Sequence, residues 1–163
     1  MNTEVQVLTA DLKNSGHGKA ILDLLSHYAT DIMGGGENLS EDVKENLIAR
    51  LAATASAVII LAYDGETPVG LSICFMGFST FSAKPLLNIH DFVVTESHRG
   101  KGIAKLMLEK LEEIARSKGC CKLTLEVLEG NLRAQKVYHS FGFASYELDK
   151  TMGKALFLNK KLV

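Results

Sequence analysis

The succession of strand and helix signals predicts an α/β (α+β) fold: a mixed, mostly antiparallel sheet of about seven strands with helices on both faces. Three observations carry this reading. Apolar β-branched runs follow one another directly in the middle of the chain. Amphipathic helical stretches alternate with strands toward the C-terminus. The chain has 163 residues, 47% hydrophobic and 23% charged, which suits one folded domain over residues 1–163 rather than a disordered segment.

Each element has its own signal. Val5–Leu8 alternates as a first strand. Ile21, Leu24, Leu25, Tyr28 and Ile32 recur at helical spacing and form one apolar face. Gly34, Gly35 and Gly36 end that helix. Ser40 is an N-cap for a second helix, with Glu41 and Asp42 at its positive end and Val43, Leu47 and Leu51 as its buried stripe. Ala57–Tyr63, Val69–Met76 and Leu86–Val94 are strands, the first two separated by a turn at Asp64-Gly65. The period then changes. Ile103, Leu106, Met107, Leu111 and Ile114 mark a long amphipathic helix ending at Gly119. Lys122–Leu128 alternates as a strand. Ala134, Val137, Tyr138 and Phe141 define a short helix ending at Gly142. Phe143–Leu148 and Ala155–Leu158 read as closing strands.

Composition narrows the function classes. A net charge of -1 argues against binding along nucleic acid, which needs a basic surface. Cys74, Cys120 and Cys121 form neither a disulfide framework nor a metal-ligand pattern, so no metal is expected. Met1–Ala10 lacks the apolar run of a signal peptide, and Ala57–Ala62 is far too short to span a membrane. A cytoplasmic protein with no membrane partner is expected.

The segment from Val93 to Ala104 carries the chemistry. A strand runs into a loop containing Arg99, Gly100, Lys101 and Gly102, and a long helix starts there. Unpaired N–H groups at a helix start, glycines that admit a ligand and two cations make an anion site suited to phosphate. The segment is not a P-loop, and Lys105 stands where a dinucleotide fingerprint needs its third glycine. A solvated helix cap with incidental basic residues would share these features.

Arg99-x-x-Gly102-x-Ala104 after a Val-rich strand resembles motif A of the GCN5-related N-acetyltransferases. Asn131-x-x-Ala134-x-x-x-Tyr138-x-x-x-Gly142-Phe143 is similar to the motif B of that family. The resemblance implies an enzyme that uses acetyl-coenzyme A as cosubstrate. It implies that backbone groups of Phe92 and Val94 pair with the pantetheine arm along a splayed strand edge. Backbone N–H groups of Arg99, Gly100, Lys101, Gly102, Ile103 and Ala104 would hold the pyrophosphate. Asn131 would contact the pantetheine, and Tyr138 would protonate the departing thiolate. Tyrosine, with a reference pKa of about 10, remains a donor at neutral pH. Tyr138 also shares an apolar face with Ala134 and Val137, where core packing would explain it.

An ammonium acceptor must lose a proton before it attacks. His90, Asp91 and Glu126 are the candidate bases. Period two places Asp91 with Ile89 and Val93, and His90 with Asn88 and Phe92. His90 is preferred over Glu126 because a reference pKa of about 6.5 suits a base near neutrality. A chain of water molecules would also serve. Phe78-Ser79-Thr80-Phe81 followed by Leu87–Asp91 resembles the diamine and polyamine acetyltransferase branch, with His90 where that branch has Glu. Glu37, Phe78, Phe81 and Asp91 are the candidate acceptor contacts. The acceptor is expected to be a primary amine of a small molecule. A protein lysine, or a non-catalytic role in binding acyl-coenzyme A, is the alternative. The resemblance also makes a homodimer possible.

Overall fold

The computed structural model of the protein describes residues 4–147 and 149–162. Strands β1 (Gln6–Thr9), β2 (Ala57–Asp64), β3 (Thr67–Ser79), β4 (Lys84–Val94) and β5 (Leu123–Leu125) form one sheet in that order. Three antiparallel pairings join β1 to β4, and β5 lies parallel to β4. A parallel neighbour needs a crossover, and helix α3 (Ile103–Ser117) supplies it.

The sheet is buried on both faces, so its middle strands read as continuous apolar runs. Helices α1 (Ser15–Thr30) and α2 (Glu41–Ala52) cover one face through Ile21, Leu24 and Leu51, packed on Ile59, Leu61, Leu71, Ile73 and Val93. Helices α3 and α4 (Leu132–Phe141) cover the other through Met107, Leu108, Leu111 and Tyr138, packed on Ile60, Cys74, Leu87 and Ile89. Ser40 caps α2 as expected, accepting from the Val43 amide at 3.3 Å.

Several expectations need correction. The sheet has five strands among the described residues, not about seven. Of the expected closing strands Phe143–Leu148 and Ala155–Leu158, residues 143–147 and 155–158 form no strand, and Leu148 lies outside the described residues. The two arms fold back around a turn at Asp149 and share one long backbone bond, Ala155 N–H to Tyr146 C=O at 3.4 Å. Leu156, Phe157 and Leu158 stay exposed. Alternation marks a segment that suits a sheet, but a strand also needs a neighbour to complete its ladder. The expected strand Lys122–Leu128 shrinks to Leu123–Leu125, because the chain then leaves the sheet for the α4 entry. Ile32 does not extend the α1 face. The helix ends at Thr30, and Ile32 sits exposed in a 3₁₀ turn, Ile32–Gly34.

Candidate active site

Strand β4 organises the site. It pairs with β3 along its length but with β5 only over Leu87–Ile89. The Asn88 side chain donates to Thr124 Oγ1 at 2.9 Å and fixes that short pairing. Beyond Ile89, β4 has no strand neighbour on that side among the described residues. The sheet therefore opens at His90–Val94, the splayed edge that the pantetheine reading requires.

A bulge lies at the opening. The β3 register passes from Cys74↔Ile89 to Ile73↔Asp91, so His90 is an extra residue with no partner of its own. The bulge breaks the expected alternation. Ile89 packs with α3 and α4, whereas Val93 packs with α1 and α2. His90 and Asp91 consequently point the same way. The His90 ring meets the Phe75 ring edge-on at 5.6 Å, and Asp91 stands opposite Ile73. Phe75 and Ile73 both belong to the α1–α2 side.

Tyr138 reaches β4 from the other face. Its ring packs edge-on against Phe92 at 5.9 Å and Phe143 at 5.8 Å and is 8% exposed. Burial, with a smaller contribution from the nearby Tyr28, pushes its hydroxyl up to about 12. Such a phenol keeps its proton at any physiological pH. Among the described residues no buried side-chain oxygen or nitrogen lacks a partner.

Past Val94 the chain makes a 3₁₀ turn, Glu96–His98, and then the glycine loop. Gly100 and Gly102 have φ of 77° and 82°, left-handed values that favour glycine. Nothing lies within 4 Å of where a Cβ would stand at either one. Helix α3 begins at Gly102 with no side-chain cap and no acidic residue in its first turn, so its leading amides remain open. Ile103 is buried and anchors the loop to the core. The exposed Lys101 adds charge. Arg99 is more constrained. Its Nε donates to the Val94 carbonyl at 3.1 Å, which leaves that carbonyl one lone pair for a ligand. Asn131 is the N-cap of α4, accepting from the Ala134 amide at 3.2 Å, which commits one lone pair of its Oδ1 and leaves its NH₂ group to donate elsewhere.

One strand thus carries an open edge, a buried tyrosine beside it and an anion-ready helix start at its end. A sequence model of the acetyltransferase (GNAT) family matches residues 19–143. The chain belongs to the acetyltransferase (GNAT) family. An uncharacterized N-acetyltransferase of Archaeoglobus fulgidus is 33% identical over 100 residues, 61% of this chain and 67% of the relative. Among solved structures, an aminoglycoside acetyltransferase from an uncultured soil metagenomic sample superposes with a TM-score of 0.80 at 16% identity, covering 98% of this chain and 97% of that one. A ribosomal-protein-alanine N-acetyltransferase of Brucella melitensis gives 0.77 at 18% identity, covering 97% and 100%. At those identities the two structures show the fold alone. The chain is an acetyl-CoA-dependent N-acetyltransferase by family.

The expected acceptor contacts of this GNAT enzyme differ in exposure. Asp91 is half-buried, and burial raises its carboxyl above the usual range while His90 pulls it partly back. Glu37 is exposed in the α1–α2 connection. Phe78 and Phe81 fill no core: they are 62% and 95% exposed near the β3–β4 hairpin tip. Glu126 lies one residue past the end of β5, exposed rather than on a strand. A cavity of about 320 Å³ lined by Arg116, Cys120, Phe141 and Phe143 lies at the opposite end of α3 and touches none of these residues.

Two residues of the site region escaped the sequence reading. Tyr28 was part of the α1 apolar stripe, yet it stands near Asp91, Asp31 and Tyr138. Asp31 fell inside the stretch read as the first helix and was given no role, yet its Oδ2 meets Arg99 Nη2 at 3.5 Å. Asp before a glycine run was the available signal for a loop cap.

Proposed function

We propose that this enzyme moves the acetyl group of acetyl-CoA to a primary amine of a small molecule by direct attack. The observation that carries the reading is the parting of β4 from β5 at Ile89, with Tyr138 beside Phe92 and the glycine loop at the end of the same strand. In this reading the pantetheine lies along Phe92–Val94, and the spare Asn131 NH₂ faces it. The amides from Arg99 to Ala104 take the diphosphate. The Phe92 amide faces the thioester oxygen.

The amine nitrogen attacks the thioester carbon. His90 first takes one proton from the ammonium, directly or through water, its position at the bulge presenting it to the opening. The C–N bond then forms, the C–S bond breaks, and the nitrogen gives up its second proton to solvent. Tyr138 donates its phenolic proton to the departing sulfur and recovers one from solvent. Its raised pKa suits a group that must arrive protonated. Asp91, beside His90, provides a carboxylate for an ammonium acceptor, and the exposed Phe78, Phe81 and Glu37 complete an open acceptor surface. Diamines and polyamines fit such a surface, although His90 supplies no second negative charge.

A panel of amines, with thiol release as readout and Tyr138→Phe as control, tests the reading. Stimulation by small amines supports it. Stimulation only by lysine-containing peptides moves the acceptor to protein. Binding of acetyl-CoA with no amine-dependent thiol release leaves a binding module and ends the enzymatic assignment.

A further inference from the structure

The α1–α2 connection and the glycine loop are 68 residues apart in sequence and are joined by one ion pair. Asp31 sits at its centre. Its amide donates to the Tyr28 carbonyl at 3.0 Å and closes α1. Its Oδ1 accepts from the Met33 amide at 2.9 Å and starts the 3₁₀ turn. Its carbonyl accepts from the Gly34 amide at 2.9 Å and the Gly36 amide at 3.0 Å. Gly34 has no alternative there, since a Cβ would stand 1.9 Å from the Tyr28 carbonyl oxygen. One residue therefore organises the whole connection, and the Tyr28 hydroxyl adds a bond to the Met33 carbonyl at 3.4 Å.

The other carboxylate oxygen, Oδ2, faces outward to Arg99 Nη2 at 3.5 Å. Both side chains are 29% exposed, so solvent only partly screens the pair. The Arg99 guanidinium thus bridges the end of β4, through Val94, and the α1–α2 connection. It is also the first residue of the loop assigned above to the diphosphate.

We propose that Asp31 is a positioning residue that couples the cofactor site to the acceptor side: it holds Arg99 in the free enzyme, and the diphosphate of acetyl-CoA competes with it for that guanidinium and loosens the Ile32–Glu37 connection. The proposal rests on the reading of the glycine loop as the diphosphate site. The charge logic is direct. Asp31 places a negative charge beside the cation that a second anion would use, and the effect on each anion must be reciprocal. Tyr28 carries the consequence to the acceptor side, since it touches Met33 and stands near Asp91.

Asp31→Asn is the informative variant. Asparagine caps as well as aspartate, so the Met33 bond survives while the charge is lost. Titration calorimetry with acetyl-CoA should show binding to Asp31→Asn that is tighter than wild type by about two- to fivefold, the range of a partly exposed ion pair. Hydrogen exchange at the Gly34 and Gly36 amides, which donate to the Asp31 carbonyl, should speed up in wild type when acetyl-CoA is added. In Asp31→Asn it should be fast from the start and unmoved by acetyl-CoA. A purely structural Asp31 would not tighten binding when altered. Equal or weaker affinity in the variant, or unchanged or slower exchange in wild type, overturns the coupling while the acetyl-CoA site stands. No binding to wild type removes the acetyl-CoA site itself, and the coupling with it.

Discussion

Helices α3 and α4 pack on the same face of the sheet, and they begin in opposite ways. The α4 start is closed by its own chain. Asn131 accepts from the Ala134 amide, and the Gln135 side chain donates to the Leu128 and Glu129 carbonyls at 3.1 and 2.7 Å. The α3 start has a left-handed glycine where a cap would be, flanked by Arg99, Lys101 and Lys105. A capped start satisfies leading amides within the chain and holds a side chain in place, here Tyr138 about two turns beyond Asn131. An uncapped glycine start keeps its amides for a ligand. In the proposed reading, rigidity serves the aiming of a proton donor at one start, and open amides serve an anion at the other.

The largest effect should come from filling the open start. Gly102→Glu places a negative side chain in that space, and acetyl-CoA affinity by calorimetry should fall by about a hundredfold or more. Circular dichroism would show the fold retained. Unchanged affinity would make the two helix starts equivalent. Tyr138→Phe tests the closed start. It should lower kcat by about a hundredfold with acetyl-CoA affinity kept, the scale of a lost general acid. His90→Ala, at the bulge between them, should cost about tenfold in kcat/KM and flatten the acidic limb of the pH–rate profile, whereas Glu126→Gln should leave that limb in place.

Smaller effects appear in stability. Asn131→Ala should cost about 1 kcal/mol, a fall in Tm of roughly 2–4 °C, because α3 shows that a helix here can begin uncapped but α4 does not. Asp91→Asn should do the reverse. The folded chain holds the Asp91 proton to higher pH than the unfolded chain. Stability is therefore lost as pH rises from the ordinary carboxylate range through the raised folded value. At pH 7 the variant should melt about 1–3 °C higher, and the gain should vanish in acid, below both values. A carboxylate retained at such a cost points to use in the acceptor site.

Local signals were legible wherever one element decides its own form. The 3.6-residue period of Ile103, Met107 and Leu111 marked α3, and these three are buried, whereas Leu106, expected on the same face, is exposed and Leu108 is buried instead. Ser40 and Gly142 ended or began helices where their chemistry says they should. Period two misled at Ile89, because a bulge depends on the partner strand and leaves no residue signature in β4. The closing strands misled because Leu156, Phe157 and Leu158, a consecutive apolar run, join no strand among the described residues and stay exposed. Tyr28 was hidden in a stripe that also serves the core.

The amino-acid order by itself determined the glycine loop, the basic residues around it and the amphipathic helix behind it, since these are contiguous and their physics is local. Only the tertiary structure decided that His90 and Asp91 face the same side, that β5 stops at Leu125 and opens the sheet, and that Asp31 meets Arg99. Each of those depends on a partner far away in the chain, and a contact between distant segments is set by how the sheet and helices pack, not by the neighbours of either residue.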